Sequence, residues 1–198
     1  MPPLSPIICP STSRRTTSHY APSTPSALQT LPPTEIVPRL YVGDLCAAES
    51  PQVLTTLGIT HVLSAMSGHV ALPSASALSH LPPHQSLQRL QLPLQDSPFS
   101  ELAAFLPRAT AWIAAALRDP GARVLVHCAQ GVSRSASVAA AFLIAHYGCS
   151  PEQAVQLVQS KRPIAQPNPG FVSQLGEYWQ SLRGGRALGS HSHSGPAR

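Results

Sequence analysis

The stretch Val124-Leu125-Val126-His127-Cys128-Ala129-Gln130-Gly131-Val132-Ser133-Arg134-Ser135 organises this 198-residue chain. Its apolar beginning, with valines at 124 and 126, reads as a buried strand that stops at His127-Cys128. A short loop with one glycine follows. From Ser135 to Ala145 the composition is helix-forming with an apolar face. Backbone N–H groups of a loop that feeds a helix N-terminus converge on one point and favour an anion there. Arg134 adds a planar fork suited to phosphate oxygens. Cys128 lies at the base of the same positive field, which favours the thiolate, its nucleophilic form. Gly131 lets the loop take a positive φ and brings backbone close to the bound group. The competing reading, a structural cysteine beside a surface arginine, accounts for neither the spacing nor Gly131 and Ser135.

Outside this stretch the residues predict alternating elements. Ile36-Val37 and Leu40 to Val42 are two short strands broken by Pro38 and ended by Gly43. A helix is expected over Ala47 to Leu57 with Gly58 as its cap, then a strand over Ile59 to Ser64. Residues 67 to 85 read as a loop, and 87 to 94 as a strand entering the turn Gln95-Asp96-Ser97-Pro98. The next helix starts at Ser100 or, if Pro107 delays or kinks it, later, and runs to Leu117. Ser150 caps a helix with Pro151 at its first position, and Arg162-Pro163 ends it. A last helix begins at Asn168 and reaches about Leu182, with Phe171, Leu175 and Trp179 on one face. The fold class is therefore α/β, a mainly parallel, mixed sheet flanked by helices. Residues 1–33, rich in Pro, Ser and Thr, read as a disordered arm, 34–183 as one domain, and 184–198 as a disordered tail.

Charge excludes more than it suggests. The ends carry +4 of the net +5, because nine basic and eight acidic residues lie between Glu35 and Arg183. No basic run interleaved with aromatics exists, so no nucleic-acid partner is expected. No apolar run is long enough to span a bilayer, and the first residues lack the pattern of a secretory signal. A cytoplasmic or nuclear location, with reduced thiols, is the expectation. Cys9, Cys46, Cys128 and Cys149 show no metal-ligand spacing. Cys149 reads as a small buried side chain rather than a redox partner. His69, His80 and His84 share no spacing that gathers them, and His191 and His193 read as solvated. No metal and no cofactor are expected.

His127-Cys128-x-x-Gly131-x-x-Arg134-Ser135 resembles the signature of the cysteine-dependent protein tyrosine phosphatases, and its fuller form the dual-specificity branch. The resemblance begins well before the loop, with Leu40-Tyr41-Val42-Gly43 ahead of Gly58-Ile59-Thr60-His61-Val62-Leu63. It implies a phosphocysteine intermediate on Cys128, phosphate binding by residues 129 to 133 (Ala129, Gln130, Gly131, Val132, Ser133) and by Arg134, and thiolate stabilisation by Ser135. One carboxyl group can serve as acid and then as base. Asp96, on a loop just after a strand and 32 residues before Cys128, is the candidate, and Glu101 the fallback. By the same resemblance His127 steadies the loop, and Asn168 with Gly170 supports it from behind. The uncharged loop disfavours a phosphoinositide. A shallow cleft accepting phosphotyrosine and phosphoserine/threonine of a phosphoprotein is expected. The other reading is a phosphoprotein-binding adaptor or assembly factor with incidental catalysis. Retention of Cys128, Asp96 and Arg134 favours the enzyme. Oligomeric state is not legible.

Overall fold

Four parallel strands end along a single edge of the sheet, and that edge carries the loop after Val124–His127. The computed structural model describes residues 31–82 and 85–187. Five strands, β1 (Thr34–Val37), β2 (Leu40–Gly43), β3 (His61–Ala65), β4 (Gln88–Leu92) and β5 (Val124–His127), form one sheet in the order β1-β2-β5-β3-β4. β1 and β2 are an antiparallel hairpin, and every other pair is parallel. The mixed, mainly parallel sheet agrees with the sequence expectation. β5 is central because it can be: all four of its residues are buried, which only a strand covered on both faces sustains.

Alternation along β5 divides the core. Val124 and Val126 pack toward α3 (Leu102–Leu117), α4 (Arg134–Tyr147), α5 (Pro151–Lys161) and α6 (Pro169–Ala187). Leu125 points the other way, with Tyr41 and Val62, into a smaller cluster. That second cluster is closed by α1 (Leu45–Glu49), α2 (Pro51–Leu57) and Leu72, Leu78, Leu81 and Leu87, with a 3₁₀ turn (Ala75–Ala77) just before Leu78. α4 is buried nearly all round, with ten consecutive buried residues from Ser135 to Ile144. None of the described helices is long and apolar enough to cross a membrane.

Three boundaries differ from expectation. The single helix over 47–57 is two, because Ser50 ends α1 in an extended conformation and then caps α2, with Pro51 at its first position. Gly58 does end α2, at φ +63°. α3 begins at Leu102 and carries Pro107 inside it. Its buried positions 102, 106, 109, 110, 113, 116 and 117 follow helical spacing through the proline, so packing outweighs the lost hydrogen bond. α6 runs to Ala187, past the expected helix end near Leu182. The arm, to residue 30, and residues 188–198 lie outside the described residues. Ser150 caps α5 in a reciprocal box with Gln153, and Cys149 just before it is fully buried.

Candidate active site

The loop from Cys128 to Ser133 is short because both its ends are fixed, one by the central strand and one by a helix the core encloses. Gly131 has φ +68°, and a Cβ there would lie 2.7 Å from both the Gly43 carbonyl oxygen and Arg162 Nη2. Only glycine fits on both counts. The Gly131 N–H donates to Cys128 Sγ at 3.2 Å, and Ser135 Oγ lies 3.3 Å from the same sulfur. Cys128 and Ser135 are buried.

Three carbonyls of the loop are fastened outward. Leu45 N–H donates to Ala129 O (3.3 Å), Arg162 Nε to Gly131 O (2.8 Å) and Gln166 N–H to Val132 O (2.9 Å). In a trans peptide the C=O and the following N–H point in opposite directions. The N–H groups of Gln130, Val132 and Ser133 therefore face the other way. They join the first N–H groups of α4, which have no carbonyl within the helix to bond. This geometry makes a cradle for an oxyanion out of backbone alone.

Arg134 donates through Nη1 to Leu94 O at 3.3 Å, and its Nε is buried without a hydrogen-bond partner. Asp96 Oδ2 is 3.7 Å from that Nε. Asp96 Oδ1 accepts from Ser133 Oγ at 2.7 Å and from Asn168 Nδ2 at 2.9 Å. Ser133 Oγ in turn accepts from Asn168 N–H at 3.1 Å. The structure thus brings Asp96, Ser133, Arg134 and Asn168 into one network beside Cys128. Glu101, the alternative acid, is instead the exposed residue preceding α3. Asn168 thus touches the loop through its N–H and the carboxyl group through its side chain, and its Oδ1 accepts from Phe171 N–H.

The acid loop is moored on α6. Gly170 lies so close to Pro98 that a Cβ would collide with the Pro98 backbone. Gln174 accepts from Ala103 N–H and donates to Ser100 O, both at 2.9 Å.

His127 is buried at the end of β5, with Nε2 2.7 Å from Ser64 Oγ and Nδ1 3.4 Å from Cys128 O. A carbonyl can only accept, so Nδ1 carries the proton and the Ser64 hydroxyl donates to Nε2. Burial pulls its pKa down to about 4, so the imidazole is neutral near pH 7.

Sequence reasoning missed two residues. Ser133 was expected only as part of the phosphate cradle, but its hydroxyl links acid to loop across 37 positions. Arg162 was read as a helix end. It does cap α5, and it is also a buried arginine on Gly131 O, whose Nη1 donates to Pro32 O and Thr34 Oγ1, both at 3.1 Å. Burial lowers its pKa, while Asp44 and Cys128 oppose that shift, so the guanidinium lies within the electrostatic reach of the cysteine.

Residues 40–181 match the model of the family described as dual specificity phosphatase, catalytic domain. Human dual specificity protein phosphatase 13B is 39% identical over 141 residues, 71% of this chain and 69% of that protein. Human dual specificity phosphatase 28 is 37% identical over 152 residues, covering 77% and 80%. Among solved structures, human DUSP28 superposes with TM-score 0.66 at 34% identity, over 83% of this chain and 99% of that one. A mouse putative dual specificity phosphatase complexed with zinc tungstate gives 0.69 at 34% identity, over 84% and 97%.

Proposed function

This chain belongs to the dual specificity phosphatases, and on that premise we propose that it cleaves phosphate monoesters with Cys128 as nucleophile, Arg134 as phosphate ligand and Asp96 as acid and base. Protein phosphatase activity follows from the family. The assignment of residues rests above all on one observation. Cys128 Sγ meets the Gly131 N–H of the loop and the Ser135 hydroxyl of α4, while Asp96 is held beside Arg134.

The Cys128 thiolate attacks phosphorus, and the P–O bond to the substrate breaks. The acid then gives its proton to the leaving oxygen. In the second step the Asp96 carboxylate takes a proton from water as that water attacks the phosphocysteine. The thiolate leaves, stabilised by the Gly131 N–H and the Ser135 hydroxyl. Backbone donors carry the equatorial oxygens throughout, as preorganised dipoles that need no rearrangement.

Ala129, Gln130, Val132 and Ser133 contribute no charge, and Phe99, three residues beyond Asp96, is 93% exposed. These features support a phosphoprotein substrate, with phosphotyrosine and phosphoserine/threonine both admitted and an apolar surface offered to neighbouring residues. A thiolate nucleophile works in a reducing compartment, which supports the cytoplasm or nucleus.

The test is hydrolysis of an aryl phosphate in the presence of a metal chelator. Turnover blocked by vanadate and abolished by Cys128→Ser is expected. Turnover retained by that variant would refute the mechanism.

A further inference from the structure

Arg162 is buried to 2% exposure, and no step of the chemistry uses it. Three of its contacts have a common sense. Nε holds Gly131 O, Nη1 holds Pro32 O and Thr34 Oγ1, and Nη2 is buried without a partner, against the position a Gly131 Cβ would fill. A buried arginine with an unmet N–H costs stability unless its position does something else. What its position does is fix the peptide between residues 131 and 132. The carbonyl of that peptide points at Arg162, so its N–H, that of Val132, points into the cradle.

Rotating this one peptide would aim Gly131 O at the phosphate and withdraw Val132 N–H, replacing an attraction by a repulsion between oxygens. Of the three outward carbonyls, Ala129 O and Val132 O are held by backbone donors, Leu45 N–H and Gln166 N–H, and Gly131 O by a side chain. We propose that Arg162 is a positioning residue that sets the oxyanion-binding form of the phosphate loop and couples it to residues 32–34, where the chain enters the domain. The proposal rests on Cys128 as the nucleophile and on its loop as the phosphate site.

Two variants of the full chain, Arg162→Lys and Thr34→Val, test it. The first keeps the charge and loses the fork; the second removes one acceptor of Nη1 without touching the loop. The readouts are KM and kcat for an aryl phosphate, the inhibition constant of vanadate, and protection of Cys128 from iodoacetamide by inorganic phosphate. Vanadate and phosphate should bind about tenfold more weakly to Arg162→Lys, the scale of one hydrogen bond to a charged group. Thr34→Val should move both in the same direction by less. A merely structural role would lower the melting temperature and leave these constants of the folded molecules unchanged. Constants equal to those of the unmodified chain in Thr34→Val, and in Arg162→Lys if it folds, overturn the inference. If the unmodified chain itself neither turns over nor is protected by phosphate, the phosphatase reading fails instead, and the two failures are distinct.

Discussion

Removing the Asp96 carboxyl separates its two duties from the thiolate's. Asp96→Ala should lower kcat for an aryl phosphate by about 10²–10⁴, the range of a lost general acid–base. Binding of vanadate should survive, because the backbone cradle and Arg134 remain. A stopped reaction with the phosphoprotein still held, read by pull-down, is the expected signature, and unchanged kcat would dismiss Asp96. At this scale legibility followed sequence distance. Cys128, Arg134 and Ser135 were visible because one loop and one helix turn place them together. Asp96 was found by its strand-end turn and by family resemblance. The hydroxyl of Ser133 and the guanidinium of Arg162 were not, since their orientation is decided by partners 37 and 31 residues away. A helix-ending arginine looks solvated until the glycine it touches is placed.

Elements carry the acid loop as much as residues do. Asn168, just before α6, holds Asp96, while α6 itself holds Pro98 through the bare Cα of Gly170 and Ser100 through Gln174. Gly170→Ala must push the Pro98 backbone away, because a Cβ has no space there and the obstacle is main chain. The expected result is a fall in kcat of about tenfold or more, since small misplacements of a catalytic group are costly. Vanadate affinity should change less, because the loop of Cys128 is untouched. A variant with kcat unaltered would show that the acid does not depend on this contact. Helix existence was legible here from apolar spacing, but joints were not. Ser50-Pro51 split a helix that apolar periodicity ran together, and Pro107 failed to split one because α3 buries seven residues around it. Both outcomes reflect tertiary packing, which local propensity does not contain.

The molecule as a whole should feel acid through the end of its central strand. His127 is neutral when folded, with a pKa near 4 against 6.5 for an ordinary histidine, so the unfolded chain binds the extra proton first. Stability is therefore at its full value above about pH 6.5 and declines as pH falls toward 4, by of order 3 kcal/mol from this group. His61 and His146 are shifted in the same direction by burial and add to the slope. His127→Asn should flatten the pH dependence of urea unfolding between those limits. An identical slope in the variant would remove His127 from the account. The layered sheet itself was legible, because the strands' buried runs and the alternation of elements admit few arrangements. The order of strands was not, since nothing local says that β5 inserts between β2 and β3.

The three outward-fastened carbonyls of the phosphate loop have a thermodynamic consequence. Their donors come from α1, from the end of α5 and from the segment before α6. The loop thus behaves as a keystone: its shape exists only while all three flanks are seated. An oxyanion in the cradle then reports on global folding rather than on a local latch. Tungstate at a hundred times its dissociation constant should add about 2.7 kcal/mol to the unfolding free energy. Every probe of structure, whether on the sheet or on the helices, should register that gain together.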